Sequence, residues 1–576
     1  MGSMMTGLYV GLSGLRTSSN SLNTTANNLT NVNTEGYVRQ QVVNKDMMYN
    51  YVTTTSGFNR GQSGLGVSVA TINHVRDIFL DKAYRKELGR QNFYEKIYDA
   101  VYEIEVQFGE ADGIEGIAFQ SALTDLRSAV NKVTEAPGEQ VFRAGLVQSA
   151  VQFVDKAQLV YNGLQKYQNT LNDEVIATVD KINGIGEQIM NLNRRIAKIE
   201  AGGVENAADL RDSRDLLLDE LSSYCKIQYS EDNRGIVEVS VEGVPFVDEL
   251  SVSYMGTELI TESNFVRPVW AFMDNQPVYA LTAEISTEAN TDIGGLKGLL
   301  VARGEISPTC SDMTEPNPAD YPNGAADSGY IEAMNRYALY TKSSNYSIVV
   351  NTMANFDKMI NSIVENINNL FCPETEYTAS DGTVYTILDK DTAPRAKDGT
   401  CGVELFSRAY TDRYTEMVID GQSMLVRNNT NDFGNKSDYT INNIAVNNVI
   451  LKDYSMMALT TADGADDYET ANKLVELFSK DTLNYNGGLD GLTFEEFYET
   501  LTGDVATSGK IYRSMMDNEE SLAKGLDNKR QEIMGVSSDD ELGNMIKYQQ
   551  AYNAASRYVN VVSEMIESLI NNTGAR

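Results

Sequence analysis

The chain has 576 residues, with 81 acidic and 47 basic side chains and a formal net charge of −34. This length exceeds what one hydrophobic core supports, so we expect several domains of roughly 100 to 200 residues each. The negative charge opposes binding to nucleic acid or to an anionic membrane surface. No apolar run approaches the ~20 residues of a membrane span. We therefore predict no nucleic-acid partner and no membrane insertion.

The N-terminal segment carries two stripes, each with alternating steps of four and three residues. The first is mainly apolar and comprises Leu8, Leu12, Leu15, Ser19, Leu22, Ala26 and Leu29. The second holds only small residues: Gly7, Gly11, Gly14, Ser18, Ser21 and Thr25. Each glycine costs about 1 kcal/mol in a helix relative to alanine, whereas burying each leucine is worth about 1.5 to 3 kcal/mol. The segment should therefore order against a partner, either the C-terminal helix or other subunits.

Long helices are predicted in the middle of the chain. Apolar residues recur with a period of 3.5 from Leu146 to Leu171 and, after one stutter, from Val175 to Ile199. Shorter seams of the same kind run from Tyr94 to Phe108 and from Val349 to Leu370. This period is typical of long helices packed on other helices. Because a typical helix has about 11 to 12 residues, the segment from about 140 to 200 predicts an elongated bundle.

Two regions between these helices are predicted to form β-structure. Residues Gly235–Val247 alternate apolar and polar around Glu242 and Gly243, which favours a hairpin. Residues Val266–Ile285 favour a second hairpin. A polar block from about 373 to 458 includes the strand-like run Tyr439–Val446. We predict that the β-structures are insertions into a helical stalk.

The last segment repeats the pattern of the first. Its three-four alternation is filled by Met545, Tyr548, Tyr552, Ala555, Val559, Val562, Ile566 and Leu569. The order of helix, β, helix, β and helix brings both termini to the same end. We therefore predict a mainly α fold with inserted β domains, arranged as an elongated multidomain rod. The predicted domains are a terminal coiled coil (1–72 and 536–576), a helical bundle (73–225, 293–372 and 459–535) and outer β-rich insertions (226–292 and 373–458).

The residues give little support for catalysis or metal binding. The single histidine, His74, excludes His-pair metal sites, and its alternating neighbours indicate a solvated strand or connector residue. The run Asp463–Asp467 lacks the ligand spacing of a calcium loop. Ser537 has the position of an N-cap, with Asp540 and Glu541 behind it in the first turn. We predict no catalytic, cofactor or metal site, and a binding or structural role.

Cysteine usage and the N-terminus leave the compartment open. The four cysteines, Cys225, Cys310, Cys372 and Cys401, are too few and too dispersed for a disulfide scaffold. Whether Cys372 pairs with Cys401 is not decided by the sequence. No basic region followed by an apolar stretch precedes the first stripe, so a cleaved secretory signal of the usual kind is not predicted. A cytosolic location and export without cleavage both remain open on this evidence.

The segment Gly11–Gln40 resembles the N-terminal signature of bacterial flagellar rod, hook and hook-associated proteins. Its core is "ANNLTNVNTEGY", Ala26–Tyr37, with Glu35 where many members carry Pro or Ala. The motif positions are Ala26, Asn27, Asn28, Asn31, Asn33, Thr34, Gly36 and Tyr37. Four later segments resemble the hook-associated members: Gly64–Asp81, Asp209–Leu221, Gly294–Arg303 and Gly535–Asn571. The β insertions carry no motif of this family.

The resemblance implies a non-enzymatic subunit of the flagellum, at the junction between hook and filament, that templates filament assembly. It implies export without a cleaved signal peptide, an extracellular location, and an export chaperone on the C-terminal helix. The implied partners are copies of the chain in a ring, the hook protein below and a second hook-associated protein above. The expected subunit-packing residues are Leu8, Leu12, Leu15, Leu22, Ala26, Leu29, Met545, Tyr548, Tyr552, Val559, Val562, Ile566 and Leu569.

Other interpretations fit the sequence less well. A hook protein would share the terminal motif but would lack so long a bundle, and a flagellin would have the bundle without this motif. A secreted coiled-coil adhesin or effector would show similar heptads but would not explain the paired termini. An enzyme hidden in the β insertions is the remaining alternative.

Overall fold

Helices account for most of the chain. The computed structural model describes residues 2–47, 50–53, 60–109, 119–202, 206–281, 285–430, 436–485 and 491–573. The helices are α1 Gly2–Thr30, α2 Ile78–Phe108, α3 Phe119–Val133, α4 Gln140–Glu200, α5 Ala208–Tyr224, α6 Gly295–Arg303, α7 Ser328–Ser343, α8 Ile348–Phe371, α9 Asn448–Lys452, α10 Tyr468–Leu477, α11 Phe494–Met534 and α12 Ser538–Thr573. A mainly α fold with inserted β-structure is therefore confirmed.

The strands form small antiparallel sheets between the helices. They are β1 Gln40–Asp46, β2 Asn50–Thr53, β3 Arg60–Ser63, β4 Val67–His74, β5 Ile227–Glu231, β6 Val237–Val241, β7 Val244–Val247, β8 Met255–Leu259, β9 Val266–Trp270, β10 Gln276–Pro277, β11 Glu374–Thr378, β12 Val384–Leu388, β13 Phe406–Arg408, β14 Tyr414–Ile419, β15 Gln422–Arg427 and β16 Ile444–Val446. The sheets are β1-β4, β2-β3, β5-β6-β7, β8-β9-β10, β11-β12-β15-β14 and β13-β16.

The long helical seam continues without a break. α4 has 61 residues and passes through the stutter between Leu171 and Val175 as continuous helix. Seam residues on both sides are buried, including Phe153, Leu164, Val175, Ile182, Ile189 and Ile196. The other two seams lie within α2 and α8. All three predictions of packed helices are therefore confirmed.

The chain divides into two compact units. The first contains Met1–Gln91, Lys181–Tyr254 and Asn518–Arg576, and the second contains Asn92–Asp180 and Met255–Asp517. α2, α4 and α11 each contribute residues to both units. This division differs from the predicted domain bounds, and it splits the predicted insertion 226–292 between the units. The predicted bounds stay a prediction.

The first unit contains the terminal helices and the first predicted hairpin. β6 and β7 pair antiparallel on either side of Glu242 and Gly243, whose φ angles are +50° and +83°. Positive φ at both central residues is the geometry of a tight hairpin turn. Val239, Val241 and Phe246 bury the apolar face, so the predicted hairpin is confirmed.

Aromatic side chains form the core of the second unit. The Phe119 ring lies 4.9 Å from the Phe356 ring and 5.4 Å from the Tyr498 ring, measured between ring centroids. Phe108 also meets Phe356, edge to face, at 5.1 Å. Such edge-to-face contacts add roughly 0.5 to 1.5 kcal/mol each beyond the area that they bury. These rings bring α2, α3, α8 and α11 together.

Two β predictions in the second unit need correction. β9 does form a hairpin with β10, but β10 has only two residues, and the longer partner of β9 is β8, which the pattern did not predict. Residues 282–284 of the predicted hairpin lie outside the described residues. The predicted strand Tyr439–Val446 is wrong in its first half. Asn361 Nδ2 donates to Tyr439 O and Ile441 N donates to Asp357, so side chains replace the strand ladder there.

Candidate functional site: the paired terminal helices

α1 and α12 pack side by side in antiparallel directions through the small-residue stripe. Gly7 lies against Val562, Gly11 against Val559, and Gly14 against Ala555. A Cβ added at Gly11 would lie 2.6 Å from Val559 Cγ2, closer than Cβ atoms approach in real structures. The absence of a side chain at Gly11 therefore sets the separation of the two helices. Of the two partners that the sequence left open for α1, the C-terminal helix of the same chain occupies this stripe.

The leucine stripe of α1 remains partly uncovered in the single chain. Successive residues of a helix project 100° apart, so this stripe lies beside the small-residue stripe that faces α12. Leu8, Leu15, Leu22 and Leu29 are half-buried, whereas Ala26 is exposed and Leu12 is 40% exposed. Nearby Tyr9 is 65% exposed. The leucine stripe is thus only partly covered within the chain, and it borders an exposed, mainly polar face that includes Arg16, Asn20 and Asn23.

The predicted seam of α12 turns toward α1 in the same chain. Val562 is buried, and Val559 lies against Gly11. The other predicted positions are half-buried or exposed: Met545, Tyr548, Ile566 and Leu569 are half-buried, and Tyr552 is 40% exposed. Part of the seam therefore packs against α1 of the same chain. The sequence pattern had left open whether the seam makes intramolecular or intersubunit contacts.

A third face of α1, built from polar residues, carries the β1–β4 hairpin. Ser13 Oγ donates to Val10 O at 2.7 Å and accepts from Val67 N at 3.2 Å. Thr17, Thr24 and Asn28 are also buried on α1. These side chains form hydrogen bonds with backbone groups instead of filling an apolar core. Their roles explain why a segment with an apolar stripe is also rich in Asn, Ser and Thr.

Asn28 joins the end of α1 to the start of β1. Its side chain is almost fully buried, with Nδ2 donating to Gln40 O at 2.9 Å and Oδ1 accepting from Gln40 N at 3.0 Å. Tyr37 donates its hydroxyl hydrogen to the same Oδ1 at 2.8 Å. Burial, with the nearby charges of Asp212, Asp209 and Glu541, raises the pKa of Tyr37 to about 12. Tyr37 therefore remains a hydrogen-bond donor at neutral pH.

The remaining motif residues shape the turn that follows α1. Asn31 Nδ2 donates to Asn27 O at 2.9 Å, and Thr34 donates to Asn31 Oδ1 at 3.1 Å. Gly36 has a φ of +74°, and a Cβ there would lie 2.4 Å from Leu216 Cδ1, so both conformation and space require glycine. Ala26 and Asn33 are exposed. The motif is therefore mainly a turn-building motif.

The base of α12 is fixed to the same turn. Arg39 Nε lies 2.8 Å from Glu541 Oε1, and Arg39 N donates to Met534 O at 2.8 Å. Ser537 Oγ accepts from Asp540 N at 3.3 Å, which confirms the predicted N-cap. The buried Glu541 carboxylate lies in the first turn of α12, where it complements the positive end of the helix dipole.

An ion-pair cluster lies beneath this turn, and the sequence reasoning missed it. Arg530 lies 2.8 Å from both Asp81 and Asp219 and stacks over the Tyr84 ring at 4.2 Å. Burial alone would lower the pKa of Arg85, but Asp219 and Asp215 raise it above its ordinary value. A cleft of about 960 Å³ opens beside these residues. The alternation of Asp and Arg in Asp209–Asp215 was the available signal.

His74 and the cysteines take structural positions. His74 ends β4 as predicted, but it is mostly buried instead of solvated, with Nδ1 2.9 Å from Asp212 Oδ1. All four cysteines are free. Asp467, in the acidic run, caps α10 by accepting from Thr470 N at 2.9 Å.

The described residues contain no metal-binding cluster and no membrane-spanning helix. Within them, no group of three or more His, Cys, Asp or Glu side chains could hold a metal ion. None of the described helices is long and apolar enough to cross a membrane.

Three family models match separate parts of the chain. The model described as "Flagellar hook-associated protein FlgK helical domain" matches residues 108–315. "Flagella basal body rod protein" matches residues 8–37, which cover most of α1 and the following turn. "Flagellar basal body rod FlgEFG protein C-terminal" matches residues 528–572, which contain most of α12. The two terminal matches thus coincide with the two helices that pair.

Full-length relatives carry the same family name. Flagellar hook-associated protein 1 of Bacillus subtilis is 25% identical, with 99% of each chain covered. The proteins of that name from Salmonella typhimurium and Escherichia coli are 23% and 21% identical, with 97% of this chain and 98% of each relative covered. The solved structure of the flagellar hook junction protein FlgK from Burkholderia pseudomallei matches with a TM-score of 0.47 and 11% identity, covering 78% of this chain and 99% of that one. Its family-model matches and these near full-length relatives show that the chain is similar to flagellar hook-associated protein 1, or FlgK.

Proposed function

We propose that the chain is a structural subunit of the bacterial flagellum that forms the junction between hook and filament and templates filament assembly. The observation that carries this proposal is the use of α1. Its small-residue stripe is occupied by α12 within the chain, while its leucine stripe remains partly exposed. Near full-length similarity to hook-associated proteins supports the same role.

The partly exposed leucine stripe supplies a driving force for packing between copies. Leu12 is 40% exposed, and Tyr9 is 65% exposed on the same helix. Burying a leucine-sized side chain contributes about 1.5 to 3 kcal/mol. In a ring, the stripe of each copy would be buried against a neighbouring copy. The terminal helices would form the inner tube of that ring. The subunit-packing role of the stripe and of the α12 seam is part of the proposal.

The partners follow from that position. They are further copies of the chain in the ring, the hook protein below, a second hook-associated protein above and an export chaperone on α12. The subunit is extracellular, reaches its position without cleavage of a signal peptide and has no enzymatic role. Its terminal coiled coil (1–72 and 536–576) and helical bundle (73–225, 293–372 and 459–535) are the inner shells, with the β-rich parts (226–292 and 373–458) outside.

Deletion of the gene tests this function directly. Cells without the chain should build hooks without filaments and release flagellin into the medium, and expression of the wild-type chain should restore attached filaments. Electron microscopy of the cells and immunoblotting of the medium provide the measurements. Attached filaments in the deletion strain would exclude the junction role.

Complementation with a charged leucine stripe tests the mechanism. Leu15→Glu with Leu22→Glu should leave the purified chain folded by circular dichroism but should prevent its incorporation, because each carboxylate would have to be buried between copies. Leu159→Glu with Leu250→Glu is the matched control, since these leucines are 62% and 74% exposed outside the terminal helices. Normal filaments with the Leu15 and Leu22 variant would refute the proposed packing surface.

A further inference from the structure

The ion-pair cluster of the first unit is a closed ring of alternating charges, called the charge ring below. In order, its members are Arg76, Asp81, Arg530, Asp219, Arg85 and Asp215. Five of the contacts between successive members have nitrogen–oxygen distances of 2.5 to 3.3 Å, and the contact between Arg76 and Asp215 closes the ring. Each member therefore has an oppositely charged partner on both sides.

Sequence spacing brings these charges together. Asp81 and Arg85 lie four residues apart on α2, and Asp215 and Asp219 lie four residues apart on α5, so each pair shares one face of its helix. The other two members come from the ends of elements, one just before α2 and one near the end of α11. The charge ring thus joins three helices that are far apart in the sequence.

The members of the charge ring are shielded from water. The side chains of Arg85, Asp81 and Arg530 are 3%, 4% and 5% exposed, and those of the other three members are 15 to 20% exposed. Asp527 also approaches Arg530, at 3.6 Å, but it lies outside the charge ring and is 40% exposed. Removing one charge from a buried network is strongly destabilising, because an opposite charge is left buried without a partner. Arrangements of these helices that open the charge ring are therefore disfavoured.

Two connections lead from the terminal helices to the other helices of the first unit, and both pass the charge ring. Residues 75–77 join β4 to α2 and include Arg76, whereas residues 535–537 join α11 to α12 and follow Arg530 closely. The backbone of Arg39 binds both connections. Its N–H donates to Met534 O at 2.8 Å, and its carbonyl oxygen accepts from Val75 N at 3.1 Å. The two connections are thus held beside each other.

We propose that the charge ring is a conformational lock that fixes both connections as one unit. Loss of a charge at one connection then releases the other connection as well, because the same two aspartates of α5 hold both arginines. The lock sets the direction in which the α1–α12 pair leaves the other helices of the first unit. Its consequence for assembly rests on the proposed function, in which copies pack through α1 and α12 and must present them in one orientation.

A closed ring predicts repair between two members that do not touch within it. Arg530→Gln leaves two arginines and three aspartates, so one buried carboxylate lacks a counter-charge. Adding Asp215→Asn, on the opposite side of the charge ring, leaves the other four members as two separate neutral pairs. The second substitution should therefore repair the first. Independent ion pairs would instead give two destabilising effects that add.

Hydrogen exchange of the purified full-length chain tests the lock. The amides of Arg39 and Val75 report on the two connections, and mass spectrometry of peptides that contain them measures their exchange. In Arg530→Gln both amides should exchange at least about tenfold faster, because a buried charge has lost its partner. In Arg530→Gln with Asp215→Asn both rates should return to within about threefold of the wild-type rates. Faster exchange at Val75 is the informative result, since Val75 lies on the connection that Arg530 does not belong to.

Three controls keep the experiment decisive. Asp209→Asn added to Arg530→Gln should give no repair, because Asp209 is an exposed aspartate of α5 outside the charge ring. Arg195→Gln should exchange like the wild type, because Arg195 lines the same cleft but is exposed. If Arg530→Gln does not fold, Arg76→Gln with and without Asp219→Asn tests the same lock, since these two members also lie on opposite sides of the charge ring.

Each outcome has a separate meaning. Repair of both amides by Asp215→Asn, in cells accompanied by the return of attached filaments that Arg530→Gln had reduced, would support the lock. Effects that add, or an unchanged Val75 amide in Arg530→Gln, would overturn it while leaving the junction function intact. Attached filaments in the deletion strain would instead remove the proposed function, and the exchange of the purified chain would still decide whether the lock exists.

Discussion

At the scale of single residues, Asn28 holds the turn after α1 together. Its almost fully buried side chain forms hydrogen bonds with both the N–H and the C=O of Gln40 and accepts a third from the Tyr37 hydroxyl. The flagellar motif made Asn28 visible in the sequence. Its hydrogen-bond partners could not be predicted, because they depend on how the chain returns after Gly36.

Asn28→Ala should therefore destabilise the chain by about 2 to 4 kcal/mol. The substitution leaves buried backbone groups without hydrogen-bond partners, and each such group costs about 1 to 3 kcal/mol. Asn33→Ala is the matched control, because Asn33 belongs to the same motif but is exposed. Its effect should be below about 0.5 kcal/mol. Urea unfolding followed by circular dichroism measures both. Equal effects of the two substitutions would contradict the structural role of Asn28.

Asp357 makes part of the stability depend on pH. It is fully buried and accepts from Cys310 N at 2.7 Å and Ile441 N at 2.6 Å. Burial nevertheless raises its pKa from 3.8 to about 6. The folded state consequently binds a proton more tightly than the unfolded state, and this contribution to stability increases as the pH falls from about 6 towards 4.

Asp357→Asn removes this titration. The difference in unfolding free energy between wild type and variant should shift in favour of the wild type by about 1 kcal/mol between pH 7 and pH 5. Urea titrations of both proteins at the two pH values measure the shift, and the comparison cancels the other carboxyl groups that the proteins share. A difference that does not change with pH would show that Asp357 has an ordinary pKa.

At the scale of elements, α1 shows which part of a helix pattern can be read from a sequence. The three-four alternation correctly predicted helices at both ends of the chain, but it left open whether they pair with each other or with other subunits. It could not assign the faces, because leucines give a strong apolar signal whereas Gly7, Gly11 and Gly14 give none. The close approach at Gly11 depends on the absence of atoms, which hydropathy does not register.

Two alanine substitutions separate these effects. Alanine raises helix propensity by about 1 kcal/mol relative to glycine, so Gly145→Ala in α4 should stabilise the chain, since no atom lies within 4 Å of its added Cβ. Gly11→Ala should destabilise the α1–α12 pair by about 1 to 3 kcal/mol, because Val559 must move. Hydrogen exchange of the α12 amides measures the effect. Slower exchange in Gly11→Ala would contradict close packing at that position.

Strands were predicted less completely than helices for a physical reason. The hairpin around Gly243 was predicted because its turn residues and the apolar–polar alternation of its strands both indicate a hairpin. β8 was not found, and Tyr439–Ile441 was wrongly assigned to a strand, because its backbone is bound by Asn361 and Asp357 from α8. Local alternation cannot reveal such long-range partners.

At the scale of the whole molecule, the order of helix, β, helix, β and helix was predicted, but the two units were not. α2, α4 and α11 supply residues to both units, and the apolar period of α4 from Val175 to Ile199 continues past the point where the units divide. A boundary inside a continuous helix leaves no linker composition to recognise. For the candidate site, both predicted seams lie on the helices that pair, whereas the motif spans the end of α1 and the turn after it.

The contact between Arg39 and Glu541 joins residues 502 positions apart. Ribosomes add about 5 to 20 residues per second, so α1 leaves the ribosome tens of seconds before α12 exists. During that interval the glycine face of α1 has no partner from its own chain. The first unit therefore cannot be completed before synthesis is almost finished, and until then the N-terminal segment lacks its contacts with α12.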